Sequence, residues 1–172
     1  MGDMMKRTCG ILIAMSLAAC AGEPVALTNS FDPEAVRWAK ETGTNEITGQ
    51  AFLRQQGGGV VTCAGERVTL IPSSPYSTER IRAAYGNGPS GVARFMFGTR
   101  LPEPAPGFTG THRTATCDAQ GSFSFSGLPD GDYYLVTRVM WTVGNRIIPE
   151  GAGLMHEVSL RDGQRANIIM TP

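Results

Sequence analysis

Four cysteines and two histidines are the side chains best suited to chemistry in this sequence of 172 residues. Cys63 and Cys117 stand 54 positions apart. An even pair in an exported chain reads as a disulfide, and closing a loop of that length is worth ~4 kcal/mol on the chain-entropy model. The alternative is a metal site that adds His112 and His156, but neither cysteine has a close Cys-x-x-Cys partner. His156-Glu157 opens like a zincin motif, yet the position of the second histidine is Leu160. Gly88-Pro89-Ser90-Gly91 has the wrong spacing for a nucleophile elbow. Asp118, Asp130, Asp132 and Asp162 all fall in turns, where a carboxylate ordinarily accepts hydrogen bonds from its own backbone; calcium held by several of them is the alternative. These patterns offer no catalytic residue, and no metal or cofactor is expected. The remaining candidates are aromatic. Tyr76, Phe95, Phe97 and Trp141 either line an exposed ridge for a glycan or partner, or pack inside.

The elements that would position them are short. Glycine (22) and proline (11) are abundant and only 17% of residues are charged, so many turns and few long helices are expected. Acidic and basic residues number 15 each, which leaves no electrostatic footprint for nucleic acid. Segments 46–54, 60–63, 67–72, 133–140, 154–160 and 166–170 read as strands, with Gly49 marking a bulge or close packing. Trp141 to Ile148 suggests a hairpin around Gly144-Asn145, and Asp162-Gly163 signals another. Asp32-Pro33 opens a helix over 31–44, with Asp32 as N-cap and Trp38 as a lid on the sandwich edge. Residues 73–110 form a long insertion, with a short helix capped by Ser74 or Ser77 and ending before Gly86.

The most informative stretch is Thr114 to Leu135. Phe123 and Phe125 alternate with Ser122, Ser124 and Ser126, giving one aromatic and one hydroxyl face. Leu128-Pro129-Asp130-Gly131 follows as a turn in which proline presets one φ and Asp-Gly supplies a positive one. Asp118, Gly121, Phe123, Phe125, Leu128, Pro129, Gly131 and Tyr133 match the pattern of the carboxypeptidase regulatory-like domain, which this stretch resembles. The resemblance is specific over these residues and rests on weaker features over 45–72 and 112–170. It implies an all-β, transthyretin-like (prealbumin-like) antiparallel sandwich of seven to nine strands over 45–172, and it implies little about function.

The N-terminus is an address. Lys6 and Arg7 precede an apolar run from Cys9 to Ala19, too short to span a bilayer comfortably. The run ends in Leu17-Ala18-Ala19-Cys20, which resembles the lipobox of bacterial lipoproteins. That resemblance implies a signal peptide over 1–19, started at Met1 or Met5, and a Cys20 diacylated on sulfur and acylated on its amine. Each buried CH₂ of such chains contributes ~0.8 kcal/mol to membrane binding. Ala21 in place of aspartate points to the outer membrane, facing the periplasm. Residues 20–30 read as a flexible tether. The expectation is a non-catalytic envelope lipoprotein that binds a protein partner, or alternatively a carbohydrate or peptidoglycan through aromatics of the insertion. A Cys20→Ser variant is expected to leave the membrane fraction, and mass spectrometry of the mature N-terminus should show acyl chains on the wild type alone.

Overall fold

The computed structural model describes residues 24–94, 99–144 and 149–172. Nine strands are described: β1 (Asn45–Arg54), β2 (Val60–Thr62), β3 (Arg67–Pro72), β4 (Ser90–Arg94), β5 (Arg113–Thr116), β6 (Ser122–Leu128), β7 (Gly131–Trp141), β8 (Glu150–Leu160) and β9 (Arg165–Met170). One α-helix, α1 (Pro75–Tyr85), and two 3-10 helices, Glu34–Lys40 and Phe108–Thr111, complete the described elements. The chain is an all-β sandwich. In one sheet β1 pairs with β6, β2 and β9; the other runs β4-β8-β7-β3-β5. Every pairing is antiparallel except β1 with β9, which is parallel. The all-β antiparallel sandwich expected from the sequence is the fold observed, with this one parallel pairing added. The reason is that β9 follows a crossover from the opposite sheet and is not the second arm of a hairpin.

Period-two burial explains the layers. Ile47, Phe123, Phe125 and Met170 of the first sheet face Val68, Leu70, Leu135, Val139 and Leu154 of the second, and form the main core. The opposite face of the five-stranded sheet carries Ile71, Tyr134 and Met155, against which α1 packs Tyr76 and Ile81. Five apolar side chains of the second core are thus buried on helix and sheet, each contributing about 1.5–3 kcal/mol. The insertion 73–110 therefore adds a third layer over part of one sheet, and β4 adds an edge strand to that sheet. Ser74 is the N-cap of α1, and its hydroxyl and that of Ser77 close a capping box.

Four connections carry the chain from one sheet to the other: β2 to β3, β5 to β6, β6 to β7 and β8 to β9. The first two are joined by the Cys63–Cys117 disulfide, with a Cα–Cα distance of 5.8 Å. Gly65 N–H donates to Cys117 O and Cys117 N–H to Glu66 O alongside it. The other two are joined at Asn45, which is wholly buried. Its Nδ2 donates to Leu128 O (3.0 Å) and Asp130 Oδ1 (2.8 Å), and its Oδ1 accepts from Gln164 N–H (2.7 Å). Asp130 Oδ1 also accepts from Asp162 N–H.

Several local expectations change. Asp162-Gly163 is a turn with two positive φ values, 52° and 73°, but it links strands of different sheets and makes no hairpin. Gly131 has no positive φ; that conformation falls on Gly127 (φ 64°). Gly131 is required instead because a Cβ there would collide with the Trp38 ring. Trp38 does pack as a lid, edge-on to Tyr133 with ring centroids 5.2 Å apart. Its helix is 3-10 over Glu34–Lys40 and Pro33 occupies the cap position, while Asp32 Oδ1 accepts from Glu34 N–H (2.9 Å). The described part of the tether, 24–30, is bound to the insertion by Glu79. The signal peptide, Cys20 and Asn145 to Ile148 of the expected second hairpin lie outside the described residues.

Replacing Asn45 by alanine would delete three hydrogen bonds at a wholly buried position; Asp130 Oδ1 keeps its bond from Asp162 N–H and Gln164 N–H keeps its bond to Arg161 O, while Leu128 O loses its side-chain donor. The expected loss is roughly 2–4 kcal/mol, read as a lower midpoint with an unchanged slope in urea unfolding.

Candidate functional site

The expected aromatic ridge is not what the described surface presents. Tyr76 is only 6% exposed. Its ring meets Phe31 and Phe108 at 5.7 and 4.9 Å, and its hydroxyl accepts from Ala105 N–H (2.8 Å). It is an internal residue because α1 turns its apolar side onto the sheet. Trp141 is partly buried against the main core at the end of β7. Phe95 and Phe97 lie outside the described residues. Cys63 and Cys117 are joined to each other and offer no thiolate to a metal. Among the described residues no cluster of three or more His, Cys, Asp or Glu is placed to hold one. His112 packs edge-on to Phe108 (4.6 Å), and burial lowers its pKa to about 4.

A candidate surface is the part of the five-stranded sheet that α1 leaves uncovered. It is a depression of about 730 Å³ lined by Glu66, Arg67, Thr69, Tyr85, Ala93, Arg94, Val136, Arg138 and Gly153. Alternation places these side chains. Val68 and Leu70 point into the main core, so Arg67 and Thr69 point outward. Val139 and Leu135 likewise send Val136 and Arg138 outward. In the register, Arg138 lies opposite Gly153 and Gly153 opposite Ala93, so the floor is low where β7, β8 and β4 adjoin. A side chain at Gly153 would press on the Tyr85 hydroxyl, 2.9 Å from the Cβ position. Tyr85, at the last turn of α1, forms one wall; burial raises its pKa, so its hydroxyl stays protonated and can both donate and accept.

The polar groups have capacity to spare. Arg138 Nε donates to Glu66 Oε2 at 2.6 Å. A guanidinium carries five N–H donors and a carboxylate two acceptor oxygens, so this pair still offers both functions to a ligand. Arg67 is exposed, and among the described residues no carboxylate pairs with it. None of Glu66, Arg67, Tyr85, Arg138 or Gly153 stands out in the sequence. The available signal is a charge beside apolar strand residues: Arg67, the one charged residue of β3, before Val-Thr-Leu-Ile, and Arg138 of β7 between Thr137 and Val139, with Asp132 at the start of that strand. A second shallow surface lies on the outer face of the other sheet, where Thr48 pairs with both Ser124 and Asn167 and Gln50 with both Ser122 and Ile169.

A separate polar contact fixes the segment before the sandwich. Both oxygens of Glu79 on α1 accept from that segment: Oε1 from Thr28 N–H (2.8 Å) and Oγ1 (2.7 Å), Oε2 from Asn29 N–H (2.8 Å) and Nδ2 (2.9 Å). Val25 N–H donates to Arg100 O (3.0 Å), and Leu27 and Phe31 pack on the second core.

The fold defines a single class, an all-β sandwich with a helical third layer. No family model matches the chain, and no curated protein matches it. Among solved structures it is similar to a protein of Pseudomonas aeruginosa provisionally assigned as carbohydrate binding, with a TM-score of 0.68 and 24% identity over 84% of this chain and 99% of that one. This likeness shows the fold. A chlorocatechol 1,2-dioxygenase from Pseudomonas putida matches with a TM-score of 0.26 at 7% identity over 74% of this chain and 61% of that one, which carries no weight.

Hydrogen bonds from the two backbone amides, first in effect, then from the two side chains, lower the Glu79 pKa from 4.5 to about 2. A depressed carboxyl contributes its stabilisation above the unfolded pKa and loses it as pH falls through the folded one. The strap at 24–30 is therefore expected to be held at neutral pH and released progressively from pH 4.5 toward about 2. Hydrogen exchange at Thr28 and Asn29 checks this, and Glu79→Gln should speed that exchange at neutral pH too.

Proposed function

We propose that this chain is a non-catalytic carbohydrate-binding module of the bacterial cell envelope, held at the outer membrane by lipid on Cys20. The observation that carries the reading is the open depression on the five-stranded sheet. Its Arg138–Glu66 pair, Tyr85 hydroxyl and Thr69 hydroxyl mix donors and acceptors above a floor of Gly153, Ala93 and Val136. Vicinal sugar hydroxyls require that mixture, because each donates and accepts at once. A low apolar floor suits the C–H face of a pyranose. The provisional assignment of the similar Pseudomonas aeruginosa protein agrees with it. The module is taken to be of the carboxypeptidase regulatory-like type, on the motif from Asp118 to Tyr133. Of the insertion's aromatics Tyr85 borders this site, whereas Tyr76 is internal and does not reach it.

A protein partner is the second reading. The outer face of the four-stranded sheet favours it, with short polar side chains around Ile169, which is 59% exposed. An oligosaccharide array followed by amide-shift mapping separates the two. Carbohydrate binding is expected to perturb Gly153, Arg138 and Tyr85, and Arg138→Ala should weaken it about tenfold, the scale of one charge-assisted hydrogen bond. If no saccharide on the array binds, weight passes to the protein partner.

A further inference from the structure

We propose that the depression selects acidic glycans, and that Arg67 seats the carboxylate of a uronic acid residue. The inference rests on the carbohydrate reading of this surface and adds its charge specificity. Three charges line the central part. Arg138 and Glu66 are paired at 2.6 Å and neutralise each other, which leaves Arg67 as a cation with no carboxylate partner among the described residues. Arg94 lines the far rim with the same sign and the same lack of a partner.

The arrangement is selective in two directions. A guanidinium presents parallel N–H donors that match the two oxygens of a carboxylate. Glu66 beside it repels a ligand of dense negative charge, such as a polyphosphate, but accepts hydrogen bonds from hydroxyl groups. A ligand that suits both carries one carboxylate on a ring otherwise bearing hydroxyls, which describes a uronate. The Tyr85 and Thr69 hydroxyls extend the same pattern across the surface. Register places Arg67 on the β3 side of Arg138 and the glycine floor on its β8 side. The carboxylate would thus lie at one margin of the ring and the pyranose face over Gly153. Arg67 is well placed for testing. Among the described residues its side chain makes no hydrogen bond or ion pair; its backbone pairs with Thr116 of β5, and its carbonyl accepts from Thr137 Oγ1 at 3.0 Å.

The test is calorimetric titration of the full chain in nonionic detergent with tetragalacturonate and with its fully methyl-esterified form. These probes share ring and linkage and differ in charge. The acid is expected to bind at least about tenfold more tightly than the ester, the scale of a charge-assisted bidentate pair, and less tightly as salt is raised. Arg67→Gln should abolish the preference for the acid and keep the weaker binding of the ester, and Arg67→Lys should restore part of it. Equal binding of acid and ester, or a preference that survives Arg67→Gln, overturns the charge assignment and leaves the carbohydrate reading standing. Binding of neither probe overturns the proposal, and a parallel blank on the neutral oligosaccharides removes the carbohydrate reading as well.

Discussion

Four passages between two sheets are the constraint on which this structure depends. A crossover leaves backbone donors and acceptors at the end of a sandwich, where neither sheet can pair them. Here the crossovers are locked two by two, at opposite ends of β1. Near Ala51 the lock is covalent, Cys63 to Cys117, with backbone bonds on either side. At the other end it is polar, where Asn45 bonds a carbonyl and a carboxylate of one connection and an amide of the other. The disulfide acts largely by restricting the unfolded chain. Asn45 acts in the folded state, where removing it deletes three hydrogen bonds at a buried position. The two devices are therefore independent in origin and fix the same thing, the separation and register of the sheets.

With the sheets fixed, the five-stranded one still has a second face to cover. The insertion covers the part carrying Ile71, Tyr134 and Met155 with α1 and Phe108, and stops at Tyr85. Beyond that residue the outward positions change from apolar to Arg67, Arg138 and Gly153, which water can solvate or a ligand can cover. The edge of the helical layer is thus also the wall of the depression. Glu79 binds the segment at Thr28 and Asn29 to the same helix. The chain leading from the expected membrane anchor is consequently fastened to the layer that borders the proposed site. The orientation of the site relative to that segment is then set by one carboxylate, the Val25–Arg100 backbone bond and a small apolar contact.

Much of the fold was legible. The strands at 46–54, 67–72 and 166–170 agree with the structure to within a residue or two, because each is bounded by turn residues and alternates cleanly. A serine cap at Ser74 or Ser77, settled as Ser74, and Trp38 as a lid were legible for the same kind of local reason. Pairing was not. Asp162-Gly163 has the backbone of a tight turn, but a turn does not say which sheet the next strand joins. β4 was hidden because Ser90 to Arg94 is short, and its pairing with β8 bridges more than fifty residues. Tyr76 carried no sequence sign of facing inward, since the residues that bury it come from Phe31, Phe108 and Tyr134.

The sequence by itself determined the local geometry: which segments extend, where they turn and which helix is capped. Those properties depend on side chains within a few positions of each other. Only the tertiary structure decided that Asn45 is a buried hub, that Tyr76 is core, and that Arg67, Arg138, Glu66 and Tyr85 meet over Gly153. Each of these depends on sheet register and on which part of a face the insertion covers. Both are set by burial summed over the whole chain, and no short stretch of sequence contains that sum.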